Sequence, residues 1–384
     1  MKFFLQFCVA AIVAVAACSR IASLDVSLTS TGNTLIQAVL TNTGNIDLNL
    51  LNKGTILGDA PVKKVYIFDQ NNTAPQFDGV RFNIVTTGNF SADYFTHVKV
   101  GQSTTTVFDV AEEYDLSAGG KFTAVAVDTI LYAEGESTFL NNTVVPYNSN
   151  VVEIDVDGAE AAKIQTVGRK LSSMQKRLVI KDSCDGDLGN KMDAAVDGKG
   201  GCTEQAKVAA EAAENGEKLK KYFEKNDEDT KKTVAARLRK VSTECDSENE
   251  PIAIYCEDVW GWCYDHVNMW SAAYTLNQDN LISICPGSLN MPSVTEKCHE
   301  VDLTGILIHE LTHLDRVYNP ATDDFAAEWP AAAQLNNMQA LMNGDTYRLY
   351  AQDIYLKCPG DDVQPPTSTS TSTTTETSKP TAPS

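Results

Sequence analysis

The chain is poor in basic residues, in histidine and in long apolar runs. It carries 31 Lys and Arg against 51 Asp and Glu, which gives a net charge of -20, and it has only five His. This balance argues against nucleic-acid binding, which needs a basic face. After the first 19 residues no apolar run approaches the length of a membrane span. We therefore expect a protein that binds neither nucleic acid nor a membrane.

Cysteine is absent from residues 19–183, and eight of the ten cysteines follow that gap. Residues 1–19 combine one early Lys, an apolar run and small residues at the end, which is typical of a secretory signal peptide cleaved near residues 17–19. Secretion favours disulfides, and an even number of cysteines suits them. We expect a secreted, extracellular monomer with disulfides in its second half.

Residues 20–177 have the pattern of a β-rich domain. Short alternating or β-branched segments recur between Gly- and Asn-containing turns, which predicts strands at 62–68, 79–86, 94–100, 104–110 and 121–127 and a small β-sandwich. Asn71, Asn89 and Asn141 begin Asn-x-Ser/Thr sequons, so this part is expected to be glycosylated. The dibasic pair Lys176-Arg177 lies where the composition changes, and we interpret residues 20–177 as a propeptide cleaved after Arg177.

Residues 178–358 are expected to form a mainly α (α+β) domain. Helical spacing of apolar residues covers 203–226 and 229–243, short strands are expected at 252–255 and 281–284, and two helices at 330–343 and 345–356. Residues 359–384 form a Ser/Thr/Pro-rich tail of disordered type.

The segment His309-Glu310-Leu-Thr-His313 carries the most specific signal in the chain. On a helix, residues four apart lie about 40° apart, so both imidazoles face one point and can bind one Zn²⁺. Glu310 can then reach a water near the ion as a general base without binding the ion. The alternative is a chance match in a buried helix, but unpaired imidazoles and a carboxylate would be costly to bury there.

A catalytic zinc needs a third protein ligand, and the spacing leaves more than one candidate. Arg316 and Asn319 stand where a Gly and a third His would follow in metzincins. Glu328 is the candidate if a glutamate from a following helix completes the site.

The longer segment from His309 through Tyr318 to Asp324 resembles the deuterolysin family of fungal metalloendopeptidases, the aspzincins. The resemblance extends over most of the chain, including a prodomain and a final helix beginning near Asn343. It implies a secreted zinc endopeptidase, one Zn²⁺ held by His309, His313 and Asp324, and a preference for basic proteins. It also implies that the propeptide assists folding and inhibits the enzyme, and that Asp345, with Tyr347 nearby, supports the metal site; the alternative for Asp345 is a helix N-cap.

The same resemblance implies a disulfide pattern. Family spacing pairs Cys184 with Cys256, Cys263 with Cys285, and Cys298 with Cys358. Cys202 and Cys245 remain, and they could form an added bridge between the two long helices.

Two positions depart from the family pattern. Ala321 replaces a Gly, and Ala327 replaces a Tyr thought to donate a hydrogen bond to the oxyanion. Tyr318, Tyr347 or Trp329 could compensate. The alternative hypothesis is therefore a secreted zinc-binding pseudoenzyme or interaction protein with weak or no proteolysis, against which the intact Glu310 argues.

Overall fold

The computed structural model describes residues 20–167, 183–246, 252–265, 268–278 and 280–359. The expected signal peptide, the Lys176-Arg177 pair and residues 360–384 of the tail lie outside these ranges. The fold is mixed α/β. No helix in the described ranges is long and apolar enough to cross a membrane.

The regular secondary structure of residues 20–167 is almost entirely β, and several of its strands alternate buried side chains with more exposed ones. In β1, Leu24–Ser30, the residues Leu24, Val26 and Leu28 are buried while Asp25 and Ser27 are exposed. Because the side chains alternate with a period of two residues, one face of such a strand is directed to an apolar core. The remaining strands of this part are β2 Leu35–Asn42, β3 Leu48–Leu51, β4 Tyr66–Asp69, β5 Val80–Ile84, β6 Thr87–Asn89, β7 Phe95–Val98, β8 Ser103–Asp109, β9 Gly120–Val125, β10 Val127–Glu134, β11 Phe139–Asn141, β12 Val144–Asn148 and β13 Val152–Val156.

These strands form small antiparallel sheets around one apolar cluster. The sheet orders are β1-β2-β8, β12-β10-β3-β7, β13-β9-β4 and β11-β6. Three of the sheets contribute side chains such as Ile36, Leu48, Ala124 and Ile130 to the cluster, and these are fully buried. A single helical turn, Gly158–Ala161, ends this part and is capped by Asp157.

The second part is mainly helical and is built around the helix Leu303–Thr312, which we call the site helix. All ten of its residues are buried. The other α-helices are Gly186–Val196, Cys202–Glu214, Leu219–Phe223, Glu228–Cys245, Asn337–Leu341 and Gly344–Leu356. Short side chains such as Ala206, Ala209 and Ala213 are fully buried and allow these helices to pack closely on the site helix.

Two predicted helices are wrong in their extent. The helix expected at 203–226 ends at Glu214 because Gly216 takes a positive φ of 74°, and a second helix begins at Leu219. The helix expected at 330–343 is a 3₁₀ turn, Ala331–Gln334, and a separate helix, Asn337–Leu341. Asn336 starts the latter by accepting a hydrogen bond from the Gln339 N–H at 3.1 Å.

One sheet joins the two parts of the chain. Its order is β14-β18-β17-β5, where β14 is Ala253–Tyr255, β17 is Ser271–Leu276 and β18 is Leu281–Ile284. Strand β5 comes from the first part and the other three strands from the second. A short hairpin, β15 Tyr264–Asp265 with β16 Asn268–Met269, lies nearby. The two regions therefore share a sheet and an apolar core.

Four disulfides fasten the second part. They join Cys184 to Cys256, Cys263 to Cys285 and Cys298 to Cys358, the three pairs that the family resemblance implies, and Cys202 to Cys245, the added bridge considered for the two remaining cysteines. The Cys202–Cys245 bridge connects the start of one long helix to the end of the next.

Candidate metal centre

The site helix presents two imidazoles to one point. Asp302 caps the helix by accepting a hydrogen bond from the Gly305 N–H at 2.6 Å. His309 lies in the last turn, and His313 directly follows the helix with its backbone still in the right-handed helical region. The four-residue spacing therefore keeps both rings on one face, and their Nε2 atoms are 3.0 Å apart.

Asp324 brings a carboxylate to the same point from the loop that follows. Its Oδ1 lies 3.2 Å from His309 Nε2 and its Oδ2 lies 3.1 Å from His313 Nε2. Among the described residues these three form a group whose ligand atoms all lie within 4.8 Å of one another. Glu328 does not belong to this group: its backbone N–H donates to Asp345 instead.

Asn343 holds the loop that carries Asp324. The Asn343 side-chain oxygen accepts hydrogen bonds from the Phe325 and Ala326 N–H groups at 2.8 and 3.1 Å, and its amide donates to the Ala326 carbonyl at 2.9 Å. Because Asn343 is fully buried, these bonds are shielded from water and fix the loop next to the histidines.

The second ring nitrogen of each imidazole, Nδ1, also has a hydrogen-bond partner. His309 Nδ1 lies 2.8 Å from Asp345 Oδ1, and His313 Nδ1 lies 2.9 Å from the Thr322 carbonyl. A carboxylate and a carbonyl can only accept there, so each Nδ1 donates, and in the neutral imidazole Nε2 carries the lone pair that a metal ion would bind. Asp345 is in turn held by Arg348, whose Nε and Nη2 donate to its two oxygens at 2.9 and 2.8 Å.

Gly344 lies close to the imidazole rings of both His309 and His313. A Cβ at this position would lie 3.1 Å from His313 Cε1 and 3.2 Å from His309 Cε1, which is closer than nearly all real Cβ contacts. The lack of a side chain thus lets the helix Gly344–Leu356 approach the site and deliver Asp345 to His309.

Glu310 has one carboxylate oxygen held and one without a partner. The Thr275 hydroxyl donates to its Oε2 at 2.6 Å, whereas Oε1 has no hydrogen-bond partner within the described ranges and lies 3.9 Å from His309 Nε2. The side chain is fully buried. Burial raises the pKa of Glu310, opposed by His309 and His313, so this carboxylate is more basic than an exposed one.

The charges of the site depend on each other. Burial disfavours a charged Asp324, but His313 and His309 hold the pKa of Asp324 well below its usual range. Burial alone would lower the pKa of His309, yet Asp324 and Asp345 together raise it well above its ordinary value. The pocket favours a cation next to Asp324.

The residues fit a zinc ion. Two imidazole nitrogens and one carboxylate are a donor set that catalytic zinc uses. Asp324 Oδ1, like Glu310 Oε1, is buried and has no hydrogen-bond partner in the part of the chain that the structure describes. Such orphaned acceptors are costly unless something binds them, and a cation at the centre would satisfy the Asp324 oxygen.

Three aromatic residues considered as substitutes for a tyrosine at position 327 have other contacts. The Tyr347 hydroxyl donates to the Leu341 carbonyl at 3.0 Å, Tyr318 packs on Arg237, and Trp329 stacks on His299 at 4.4 Å between ring centroids. Ala327 itself lines a cavity that also contains His309 and Asp324. The expectation that Tyr347 supports the metal site is therefore not met by its contacts, because its hydroxyl is turned to Leu341.

Sequence reasoning missed Thr322, Asn343, Gly344 and Arg348 as parts of the site. Only Arg348 had a sequence signal, since it follows Asp345 by three residues on a predicted helix and such pairs face each other. Thr322 acts through its backbone carbonyl, Asn343 through side-chain bonds to the backbone of a distant loop, and Gly344 through close approach, none of which residue types alone indicate.

Comparison with known sequences agrees with this geometry. A profile of the Deuterolysin metalloprotease (M35) family matches residues 2–358. Neutral protease 2 homologs from Phaeosphaeria nodorum and Ajellomyces dermatitidis are 34% and 37% identical to the chain, covering 93% and 88% of it and 100% and 91% of their own lengths. The Neutral protease 2 of Aspergillus oryzae is 34% identical over 87% of the chain and 92% of its own length.

One solved structure shows a weak similarity to part of the chain. The thioester domain of an Enterococcus faecium protein aligns with 36% of this chain and 43% of its own, at 10% identity and a TM-score of 0.13. We draw nothing about the fold from it.

Proposed function

Because this chain belongs to the deuterolysin family of metalloproteases and is a zinc metalloendopeptidase, we propose that His309, His313 and Asp324 hold one zinc ion per chain and that Glu310 is the catalytic base. The observation that carries this proposal is the convergence of the three ligand groups within 4.8 Å, beside a Glu310 oxygen that has no partner in the described ranges.

The chain's own residues would carry the proton. Zinc, when bound, supplies a Lewis acid that makes water more acidic and polarises a carbonyl. Glu310 accepts a proton at Oε1 from the water that attacks the peptide carbonyl, while the Thr275 hydroxyl keeps Oε2 in place. Glu310 then donates this proton to the leaving amine, so the C–N bond breaks with a neutral amine product.

The N-terminal part, residues 20–177, is proposed to be the propeptide of a secreted precursor. Its side chains Lys63, Tyr66 and Arg81 line the same cavity as His309 and Asp324, which supports a role in covering the site. The apolar core that it shares with the second part supports a role in folding. Three further parts of the proposal rest on the sequence pattern: processing after Lys176-Arg177, domain boundaries at 19, 177 and 358, and secretion.

A preference for basic substrates is the finer part of the proposal. The chain carries a net charge of -20, which steers cationic polypeptides toward it. Asp323, beside Asp324, already accepts hydrogen bonds from two cations, Lys63 at 2.7 Å and Arg81 at 3.3 Å. Comparing kcat/KM for matched peptides with and without Lys or Arg tests this preference.

The test of the catalytic assignment is Glu310→Gln in the processed protein. We expect loss of casein hydrolysis of roughly a thousandfold or more, with zinc still bound at one equivalent, because Glu310 is not a ligand. Glu300→Gln is the matched control, since Glu300 is exposed and pairs with Lys297 at the surface.

Retained activity in Glu310→Gln would contradict its role as base. Bound zinc without cleavage of any substrate by the unsubstituted, processed protein would contradict the protease itself.

A further inference from the structure

Strand β5 completes a sheet whose other strands belong to the second part of the chain. It pairs antiparallel with β17, so that Leu276 faces Val80, Thr275 faces Arg81 and Tyr274 faces Phe82. On its other side β17 pairs with β18. Without β5, strand β17 would present an unpaired edge, and such edges bind extended peptides by backbone hydrogen bonds.

This edge lies beside the candidate catalytic base. Thr275, next to the last residue of β17, donates its hydroxyl to Glu310 at 2.6 Å, and Arg81 lies opposite Thr275 in the register. A peptide paired with β17 would therefore run directly past Glu310. Strand β5 occupies that path.

Arg81 anchors β5 on the face that is directed to the site. Its Nε donates to Asp323 Oδ1 at 3.3 Å and its Nη1 to the His313 carbonyl at 3.4 Å. Lys63 and Tyr66 reinforce this contact by donating to Asp323 at 2.7 and 2.8 Å. The anchor thus engages the residue before Asp324 and the backbone of His313.

Phe82 anchors β5 on the opposite face. Its ring packs against Trp270, Tyr274 and Trp262, at centroid distances of 4.5, 6.0 and 5.8 Å. Both anchors are nearly fully buried, with Phe82 at 4% and Arg81 at 7% exposure. Buried aromatic and arginine side chains of this kind supply most of the binding energy of a protein interface.

We infer that β5 keeps the precursor inactive by occupying, as an added strand, the β17 edge along which an extended substrate peptide binds, with Arg81 and Phe82 as its anchors. This inference rests on the proposed function and deepens it, because it names the segment that inhibits and the edge that a substrate uses. Substrate in the processed enzyme runs antiparallel to β17, and the residue that takes the place of Arg81 faces Asp323.

The experiment uses the full-length chain with Lys176-Arg177 replaced by the recognition sequence of a site-specific protease, so that each precursor is assayed before and after cleavage. We expect the uncleaved parent to be inactive on casein. Arg81→Ala and Phe82→Ala, separately and together, should raise the activity of the uncleaved chain by roughly tenfold or more. After cleavage and removal of the first part, all variants should match the parent treated in the same way.

Lys121→Ala is the matched control, since Lys121 also forms an ion pair in the first part, with Asp155 at 2.9 Å, but both partners are exposed. It should leave the precursor inactive. Uncleaved Arg81→Ala and Phe82→Ala chains that stay as inactive as the parent would overturn the inference, and so would an equal gain in Lys121→Ala.

A second readout does not depend on activity or on any variant. Hydrogen exchange of the backbone amides of residues 271–276 should be at least about tenfold faster after cleavage and removal of the first part than in the intact parent. Unchanged protection would overturn the inference. If the cleaved parent hydrolyses nothing, the proposed function fails, and this exchange measurement still decides whether β5 covers the edge.

Discussion

At the scale of single residues, the two histidines proposed as zinc ligands have Nδ1 partners of different charge. His309 donates to the carboxylate of Asp345, while His313 donates to the neutral carbonyl of Thr322. A carboxylate makes the opposite nitrogen a stronger donor to a metal, so His309 is the ligand whose strength depends most on its partner.

Asp345→Asn therefore should weaken zinc binding by about tenfold to a hundredfold. The affinity is measured by competition with a chelator of known strength on protein that remains folded by circular dichroism. Asp187→Asn, at an exposed position in the first turn of another helix, serves as the control. Zinc affinity equal to that of the parent would show that Asp345 has no part in the site.

Ala327→Tyr should raise kcat in the processed enzyme. Ala327 lines the cavity at His309 and Asp324, and a hydroxyl there could donate to a developing oxyanion, an interaction worth up to roughly a hundredfold in rate. Ala327→Phe adds the ring without the hydroxyl and separates hydrogen bonding from packing. Equal rates for the Tyr and Phe variants would argue against an oxyanion donor at this position.

How far the site could be predicted from sequence also depends on the residue. His309, Glu310 and His313 follow from a local motif, because a helix alone brings them together. Asp324 needed the family resemblance, since its loop is shaped by the buried Asn343. Gly344 could not be predicted, as its importance lies in empty space that only the tertiary structure defines.

At the scale of secondary-structure elements, strands and helices with a clear periodicity were predicted best. The amphipathic strands of the first part alternate as expected, whereas β17 was missed. All six of its residues are buried, so its sequence lacks the alternation that marks a half-exposed strand. The predicted helix at 330–343 was wrong because a local cap, Asn336, outweighed helical spacing.

The disulfide Cys202–Cys245 should stabilise the pair of long helices. It closes a loop of 43 residues, and bridges of this kind contribute about 2 to 4 kcal/mol, largely by restricting the unfolded chain. Replacing both cysteines by Ser should lower the free energy of unfolding by that amount in urea titrations of the processed protein. A loss near zero would mean that helix packing alone holds these elements together.

The sheets of the first part enclose an ion pair that should make its stability depend on pH. Glu113 accepts from Lys64 at 2.9 Å, and burial raises the pKa of Glu113 to about 7 despite the opposing effect of Lys64. Between the unfolded pKa near 4.5 and this value, the folded chain keeps a proton that the unfolded chain releases. The free energy of unfolding therefore falls as the pH rises through this window, by at most about 1.4 kcal/mol per pH unit.

Glu113→Gln should flatten that slope, whatever its effect on absolute stability. Chemical unfolding of the full-length chain at several pH values from 5 to 8 measures it. Glu112→Gln is the control, because Glu112 is the exposed neighbour on the same turn. A slope that Glu113→Gln leaves unchanged would assign the pH dependence to other groups.

At the scale of the whole molecule, the two parts have different compositions but are not independent bodies. The sequence predicted the β-rich and helical halves from periodicity and cysteine content. It did not predict that β5 joins the sheet of the second half. An alternating sequence indicates which face of a strand is buried, but it does not indicate which neighbouring strand pairs with it. Val80 and Phe82 of β5 form one apolar core with Trp270 and Tyr274 across that junction.

Because of this shared sheet, the inhibition that we propose for β5 depends on protein concentration. While residues 168–182 connect the two parts, β5 meets β17 at an effective concentration on the order of millimolar. Once that connection is cut, the same contact obeys mass action, and the fraction of open enzyme depends on how much protein is present. Diluting freshly processed enzyme should then raise its specific activity. The midpoint of that rise would give the dissociation constant of the cleaved first part from the second part.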